Sequence, residues 1–172
     1  DDLALLGGAS DTTYDKFAIF TDAGTPAQNV KVRNVIFGGT DSGHGFNSAV
    51  KFDSSCNYGE VNDCYFERLM GSASGYGYGV LVGGATAITV KSSIFIATAG
   101  RGRHAVYFSV GCSNSLCTEN YATGFDFAPY TQLSLLAQPA CENNIFYYNS
   151  AVNCGNGHVL QSGDYAIGGK SK

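Results

Sequence analysis

The stretch Val32-Arg33-Asn34-Val35-Ile36-Phe37 returns along the chain as Val61-Asn62-Asp63-Cys64-Tyr65-Phe66, Val90-Lys91-Ser92-Ser93-Ile94-Phe95, Cys117-Thr118-Glu119-Asn120-Tyr121-Ala122 and Cys141-Glu142-Asn143-Asn144-Ile145-Phe146. The first positions step by 29, 29, 27 and 24 residues. Position one is Val or Cys, position three is Asn, Asp, Ser or Glu, position five is Ile or Tyr, and position six is Phe in four of the five copies. A short apolar segment follows each copy: Val50-Lys51-Phe52, Val80-Leu81-Val82, Val106-Tyr107-Phe108, Leu133-Ser134-Leu135 and Val159-Leu160-Gln161. Phe17-Ala18-Ile19-Phe20 reads as the matching segment of an incomplete leading turn.

Self-similarity at this period is the sequence signature of a solenoid. One winding is too thin to bury its own apolar face, so windings stack about 4.8 Å apart and pair strand with strand. Like residues then form columns. Positions one and six point inward on either side of a bend, and position three is polar because the bend needs a residue that tolerates turn geometry. Position four also sits at the bend, where Asn120 and Asn144 are expected to stack and satisfy backbone groups inside the corner. A β-sandwich of short strands is the competing fold, but it needs hairpin turns every 8–12 residues. The expected architecture is all-β: a parallel β-helix of about five full coils over residues 17–162, with a partial leading coil. Residues 1–16 are expected to be irregular, and 163–172 to form a polar tail.

The Val-x-Asn-x-Ile-Phe pattern, the asparagine corner and the Gly-x-Gly-Val entry to the second segment resemble right-handed parallel β-helix proteins of the pectin-lyase-like type. That resemblance implies a fold more than an activity. The group includes polysaccharide lyases, glycosidases, uronate epimerases and bacteriophage tailspikes. Arg103-His104-Ala105-Val106 is similar to an Arg-His-Gly-Ile turn often seen in the group, with Ala in place of Gly, and there the turn is usually structural.

Composition agrees with a strand-rich, turn-rich chain. Of 172 residues, 23 are Gly, 22 are Tyr or Phe, 3 are Pro and none is Trp, and 44% are hydrophobic. A net charge of −4 argues against a nucleic-acid-binding surface or a polybasic membrane patch. No apolar run reaches the 18 or so residues of a transmembrane helix. Asp1-Asp2-Leu3 has neither a basic start nor an apolar core, so no signal peptide is expected in this segment. Six cysteines at 56, 64, 112, 117, 141 and 154 form no Cys-x-x-Cys pair and have no histidine at zinc-finger spacing. They are expected to be free and mostly buried, with no metal and no cofactor.

Position five lies between two inward positions and should face out; the opposite parity, with position five in the core and position six outside, stands beside it, and either leaves one ladder to be covered. On the outward parity, Ile36, Tyr65, Ile94, Tyr121 and Ile145 form an exterior apolar ladder large enough to signal contact. The expected partners are further copies of the chain, as in a trimer, or other fibre chains. The open strand edges at top and bottom also invite pairing unless covered. No capping helix is legible at either end, which is expected of a piece of a longer fibre or of an end covered by another chain.

Gly-rich loops between the paired segments of each winding should line one edge of the stack. They carry His44, Tyr76, Tyr78, Arg101, Arg103, His104, Asp126 and Tyr130. Aromatic rings stack on sugar faces, and Arg pairs with carboxylates bidentately. A glycosidase needs two carboxylates about 5–9.5 Å apart. Asp41 and Asp126 lie three windings apart, roughly 14 Å, unless Glu67 or Asp53 partners one of them. A lyase or epimerase needs a cation to neutralise a uronate, a base and an acid. Arg101 or Arg103 could neutralise, His104 or His44 could be the base and Tyr107 or Tyr78 the acid; Arg103, His104 and Tyr107, on one winding, are the expected catalytic set. Arg101, His44, Tyr76, Tyr78, Asp126 and Tyr130 are expected to bind substrate.

The functional expectation is polysaccharide recognition and depolymerisation within a tailspike-like protein, located in a virion tail or outside the cell. Two alternatives stand beside it: a non-enzymatic structural or adhesive module, and a free-standing uronate lyase or C5-epimerase.

Overall fold

Val32, Val61 and Val90 lie in register on adjacent parallel strands, and Cys117 and Phe146 continue the column. All five are buried. The computed structural model describes residues 3–7, 17–21, 24–39, 46, 48–69, 77–97, 102–109, 111–125, 133–137, 141–154 and 156–160. Among these, every strand pairing is parallel and each winding contributes to three long sheets. The first sheet stacks Leu3–Gly7, Val35–Gly39, Tyr65–Leu69, Ile94–Ala97, Tyr121–Thr123 and Ser150–Val152. The second stacks Phe17–Phe20, Ser48–Asp53, Tyr78–Gly83, His104–Ser109, Leu133–Ala137 and Asn156–Leu160. The third stacks Lys31–Arg33, Glu60–Asn62, Thr89–Lys91, Leu116–Thr118 and Ile145–Tyr147. The fold is therefore a parallel β-solenoid. The sandwich is excluded because consecutive strands belong to different sheets and pair only with the winding before or after.

Leu3–Gly7 pairs with Val35–Gly39, so the solenoid begins inside the stretch expected to be irregular. Phe17–Phe20 takes its expected place as a leading strand, paired with Ser48–Asp53. The 163–172 tail lies outside the described residues.

Position six faces in. Phe37, Phe66 and Phe95 are fully buried and stack at centroid separations of 4.6 and 4.5 Å, with ring planes within 10°. Position five faces out, as Ile36, Ile94 and Tyr121 are exposed. The fifth copy of the repeat is corrected by five residues. Cys117 pairs with Phe146, not with Cys141, so the true step is again 29. Tyr121 pairs with Ser150. Ile145 is exposed, but it lies beside Leu116 on the third sheet and leaves the exterior ladder at Ile36, Tyr65, Ile94 and Tyr121. In the second sheet, Val106 likewise pairs with Leu135, not with Leu133.

The winding turns through two columns of left-handed residues. Asn34, Asp63, Ser92, Glu119 and Tyr148 form one, with φ between 49° and 58°. Asn29, Tyr58, Ala87, Asn114 and Asn143 form the other, with φ between 53° and 59°. A non-glycine residue there costs on the order of 1–2 kcal/mol. Hydrogen bonds to the next winding offset it: Asn29, Tyr58, Ala87 and Asn114 donate N–H to Asn57, Thr86, Ser113 and Glu142 carbonyls at 2.9–3.1 Å.

In the later windings the residue after the left-handed one points its side chain inward and closes the corner. In one corner Cys64 N–H donates to Ser93 Oγ at 3.1 Å, Ser93 N–H to Asn120 Oδ1 at 3.1 Å, and Asn120 N–H to Asn149 Oδ1 at 3.0 Å. In the other, Ile88 N–H donates to Ser115 Oγ at 3.0 Å and Ser115 N–H to Asn144 Oδ1 at 2.9 Å. Asn120 and Asn144 were expected to stack on each other. They lie in different corners, and Asn120 meets Asn149 instead.

All six cysteines are free, five of them buried and Cys154 half-exposed. Cys56, Cys112 and Cys141 share one column. Burial pushes the Cys117 thiol far up against the lesser opposing effect of Asn120, and it raises Cys56 and Cys64 in the same direction. Thiolate is the reactive form, so a thiol reagent at pH 8 should label Cys154 first. The other five should label only on unfolding, read by peptide mass. Asn120→Leu removes the acceptor for the Ser93 N–H and the donor to the Val90 carbonyl. It should destabilise by roughly 2–4 kcal/mol in denaturant melts. Asn120→Ser retains an acceptor of the kind Ser93 supplies and should cost less than half as much. Equal losses would show that the amide acts only by volume.

Candidate functional site

The second sheet positions the cluster. Val50, Val80 and Val106 point into the core in one column, and Phe52, Val82 and Phe108 in the next. Lys51, Leu81 and Tyr107 alternate with them and face outward in a third column. Ahead of Val80 the alternation breaks. A Cβ on Gly79 would lie 2.4 Å from Phe95 Cδ1 and 2.6 Å from the Ala105 carbonyl oxygen, so this residue also backs onto the core and must be glycine. Two successive inward residues, Gly79–Val80 and Ala105–Val106, turn the residue before them outward. Tyr78 and His104, partners in register, therefore share the outer face with Tyr107.

There the three rings form one cluster. Tyr78 and His104 lie 5.5 Å apart at 11°, His104 and Tyr107 4.8 Å at 37°, and Tyr78 and Tyr107 5.5 Å at 27°. Exposures are 6%, 0% and 8% for Tyr78, His104 and Tyr107, yet neither tyrosine belongs to the contiguous apolar core. Arg103 closes the edge. Its Nη1 donates to the Tyr78 hydroxyl at 3.0 Å, and its guanidinium carbon lies 5.8 Å from the Tyr78 ring centroid, within cation–π range. The Arg103 and His104 amides both donate to the Gly77 carbonyl, at 2.9 and 3.3 Å. Gly102 lets the chain enter: a Cβ there would lie 2.0 Å from the Ala97 side chain.

Arg103, His104 and Tyr107 thus come together, with Tyr78, because of that break in alternation. They do so as a packed cluster and not as an open trio. The imidazole is wholly covered, while Arg103 is half-buried and has the most open surface of the four. This arrangement presents a cation fixed on an aromatic platform. It gives a proton-transferring histidine no open face. Arg101, His44, Tyr76, Asp126 and Tyr130, together with Asp41, lie outside the described residues.

Asp53 and Glu67 stand on different sheets, and the Asp41 and Asp126 that either would partner lie outside the described residues. Asp53 stands on the outer face of the second sheet, 2.8 Å from Lys51 Nζ. Burial pushes its carboxyl up, but hydrogen bonds from Lys51 and the Ser54 amide together outweigh that and hold it below the ordinary carboxylate value. Lys51 also sits 5.4 and 5.2 Å from the Phe17 and Phe20 ring centroids. Glu67 belongs to the first sheet, against Gly38. Gly79 is the second glycine of the Gly-x-Gly-Val entry, and its core contact, which sets the outward turn of Tyr78, is a role the pattern alone does not assign.

No protein-family model matches this chain, and no curated protein matches it. Among solved structures it is similar to a candidate glycosyl hydrolase from Parabacteroides merdae, at 14% identity and a TM-score of 0.44. The likeness covers 74% of this chain and 60% of that protein. The chain thus spans about three-fifths of that protein's length, and the likeness carries no argument about activity.

Proposed function

We propose that this solenoid recognises an acidic polysaccharide along the outer face of its second sheet. One observation carries the reading: a guanidinium held against a tyrosine hydroxyl and ring, with a second tyrosine and an imidazole packed behind. Arg pairs with a uronate carboxylate in a two-pronged geometry that Lys cannot reproduce, and a rigid aromatic platform offers a sugar its apolar face. Arg103 is the primary contact, and Tyr78 and Tyr107 shape the platform. His104 fills the space beneath and fixes the rings.

Depolymerisation is the finer proposal. A uronate lyase would use Arg103 to neutralise the carboxylate, and it needs an accessible base; His44 is the expected candidate once the imidazole of His104 is set aside. A tailspike-like setting draws on the exterior ladder Ile36, Tyr65, Ile94 and Tyr121, through which copies of the chain would pack. The structural or adhesive reading draws on the same ladder and requires no catalysis.

Affinity electrophoresis against polygalacturonate, alginate and neutral dextran tests the proposal. The uronate polymers should retard the protein and dextran should not. Arg103→Ala should weaken retardation about tenfold or more, as expected for a charge-assisted hydrogen bond, with the β fold retained in far-UV circular dichroism. Absorbance near 235 nm reports unsaturated product and separates lyase from binder. Equal retardation of wild type and Arg103→Ala would remove this face as the binding surface.

A further inference from the structure

The strand Tyr78–Gly83 lies in the middle of the second sheet, with Ser48–Asp53 on one side and His104–Ser109 on the other. Its last outward position is Gly83, in register with Asp53 on the winding before and Ser109 on the winding after. Beyond its chain neighbours, a Cβ on Gly83 would meet among the described residues only the Phe52 carbonyl oxygen, at 3.9 Å, and its φ lies outside the left-handed region. Neither crowding nor backbone strain calls for glycine here, in contrast to Gly79. The missing side chain leaves a notch in the outer face, beside half-buried Leu81. Lys51 and Asp53 wall one side of it, and Tyr107 and Ser109 the other. The first wall is held in place. Lys51 Nζ lies 2.8 Å from Asp53 Oδ2, the Asp53 amide donates to Thr21 Oγ1 at 2.8 Å, and the Ser54 amide donates to Asp53 Oδ1 at 2.8 Å. The Lys51 and Asp53 side chains still keep 23% and 19% of their surface open. Together they carry no net charge.

We propose that Lys51, Asp53 and Gly83 form a second sugar subsite that takes an uncharged pyranose. This rests on the acidic-polysaccharide reading above and narrows it: the ligand is a polyuronate whose charged sugars are interspersed with uncharged ones. The two subsites differ in kind. At Arg103 a guanidinium at the edge of the ring cluster favours a carboxylate. At Gly83 the Lys51 charge is already matched, and a sugar carboxylate in the notch would face the Asp53 carboxylate, a repulsive element that selects against it. Neighbouring sugar hydroxyls suit the pair, because the ammonium donates and the carboxylate accepts. Gly83 lets the ring sink low enough to reach both. One sugar cannot occupy the two subsites together. Lys51 and Tyr107 are two windings apart, about 10 Å, and Tyr78 to Gly83 spans roughly 16 Å along the strand. A glycan therefore crosses the face with at least one sugar between them.

Affinity electrophoresis of the full chain against polygalacturonate and against partly methyl-esterified polygalacturonate provides the test. The two probes share a backbone and differ in the spacing of charge. Wild type should bind the partly esterified polymer about threefold or more tightly than the fully charged one. Gly83→Val fills the notch with a residue that suits an outward strand position. It should keep the β fold in far-UV circular dichroism and weaken binding of the partly esterified polymer about tenfold. Asp53→Asn removes the repulsion and leaves the Lys51 charge unmatched, so it should erase or reverse the preference between the polymers. Should Gly83→Val fail to fold, the Asp53→Asn preference decides alone. The subsite is overturned if wild type binds both polymers equally, or if Asp53→Asn or a folded Gly83→Val binds as wild type does. Retardation that depends on Arg103 but not on Gly83 and Asp53 removes the subsite and leaves the recognition reading standing. Absence of retardation by both polymers removes the two together.

Discussion

A winding of this solenoid cannot pair its own backbone. Every N–H and carbonyl along its strands must find a partner one winding above or below, and buried groups left without one are costly. The sharpest form of that constraint lies at the two corners of the third sheet. There the chain turns through a left-handed residue, and the next residue's N–H points along the stack inside the coil. Ser93, Asn120 and Asn149 in one corner, and Ser115 and Asn144 in the other, supply the missing acceptor from the following winding. Phenylalanine stacking and the valine column fill the interior, but hydrocarbon contact alone does not fix how far one winding is rotated on the next. The strand ladders fix it throughout, and the corner oxygens reinforce them in the later windings.

The corner chemistry also explains what could be read in the sequence. Asn34, Asp63, Ser92 and Glu119 stood out as turn residues, and each has positive φ. The inward phenylalanines and outward Ile36, Tyr65, Ile94 and Tyr121 followed from two-residue alternation around that bend. The fifth copy failed because the two corners are built alike. Glu119-Asn120 and Asn143-Asn144 are each a left-handed residue followed by an inward amide, with an Ile or Tyr next. Local pattern cannot tell which corner such a pair occupies. Only the 29-residue step from Cys117 to Phe146 distinguishes them, and the letters of Phe146-Tyr147-Tyr148-Asn149 hide that equivalence. Leu3–Gly7 escaped notice for a related reason: the repeat was legible from Val32 onward, and Leu3-Ala4-Leu5-Leu6 shares no letters with its partner strand Val35-Ile36-Phe37-Gly38.

The candidate site was legible by residue and not by exposure. Arg103, His104 and Tyr107 share one strand entry, but a regular strand would put His104 and Tyr107 on opposite faces, and it is the double inward step that brings their rings together. Whether the imidazole meets solvent depends on the double inward step at Gly79–Val80 and Ala105–Val106. That step is set by Phe95 filling the space where a Gly79 side chain would be, a contact between separate sheets that no local pattern encodes. Without it, strict alternation would turn Tyr78 and His104 inward with Val80 and Val106. The same step that brings them out also packs them against Tyr107, so it creates the platform and closes the histidine together. Arg103 escapes closure because its chain is long enough to carry the guanidinium over the Tyr78 ring to the cluster's edge.

The corner columns are not uniform along the stack, and their gradient has a physical sense. One runs Val35, Cys64, Ser93, Asn120, Asn149, and the Cys64 thiol itself takes a hydrogen bond from Val35. A hydrocarbon gives the N–H behind it nothing, a thiol a weak acceptor, and a hydroxyl a good one. An amide gives an oxygen backwards while its nitrogen takes up a carbonyl as well. Each step toward the C-terminal edge therefore ties a winding more firmly to the one before it. Meanwhile the leading windings rely on the stacked rings of Phe37, Phe66 and Phe95, and that stack ends at Ala122, where the amides begin. The two devices are complementary in position: aromatic stacking holds the first half of the solenoid, and directed polar links hold the second. Each polar link runs from a main-chain donor of one winding to a side-chain oxygen of the following one, so the links share one direction along the described stack.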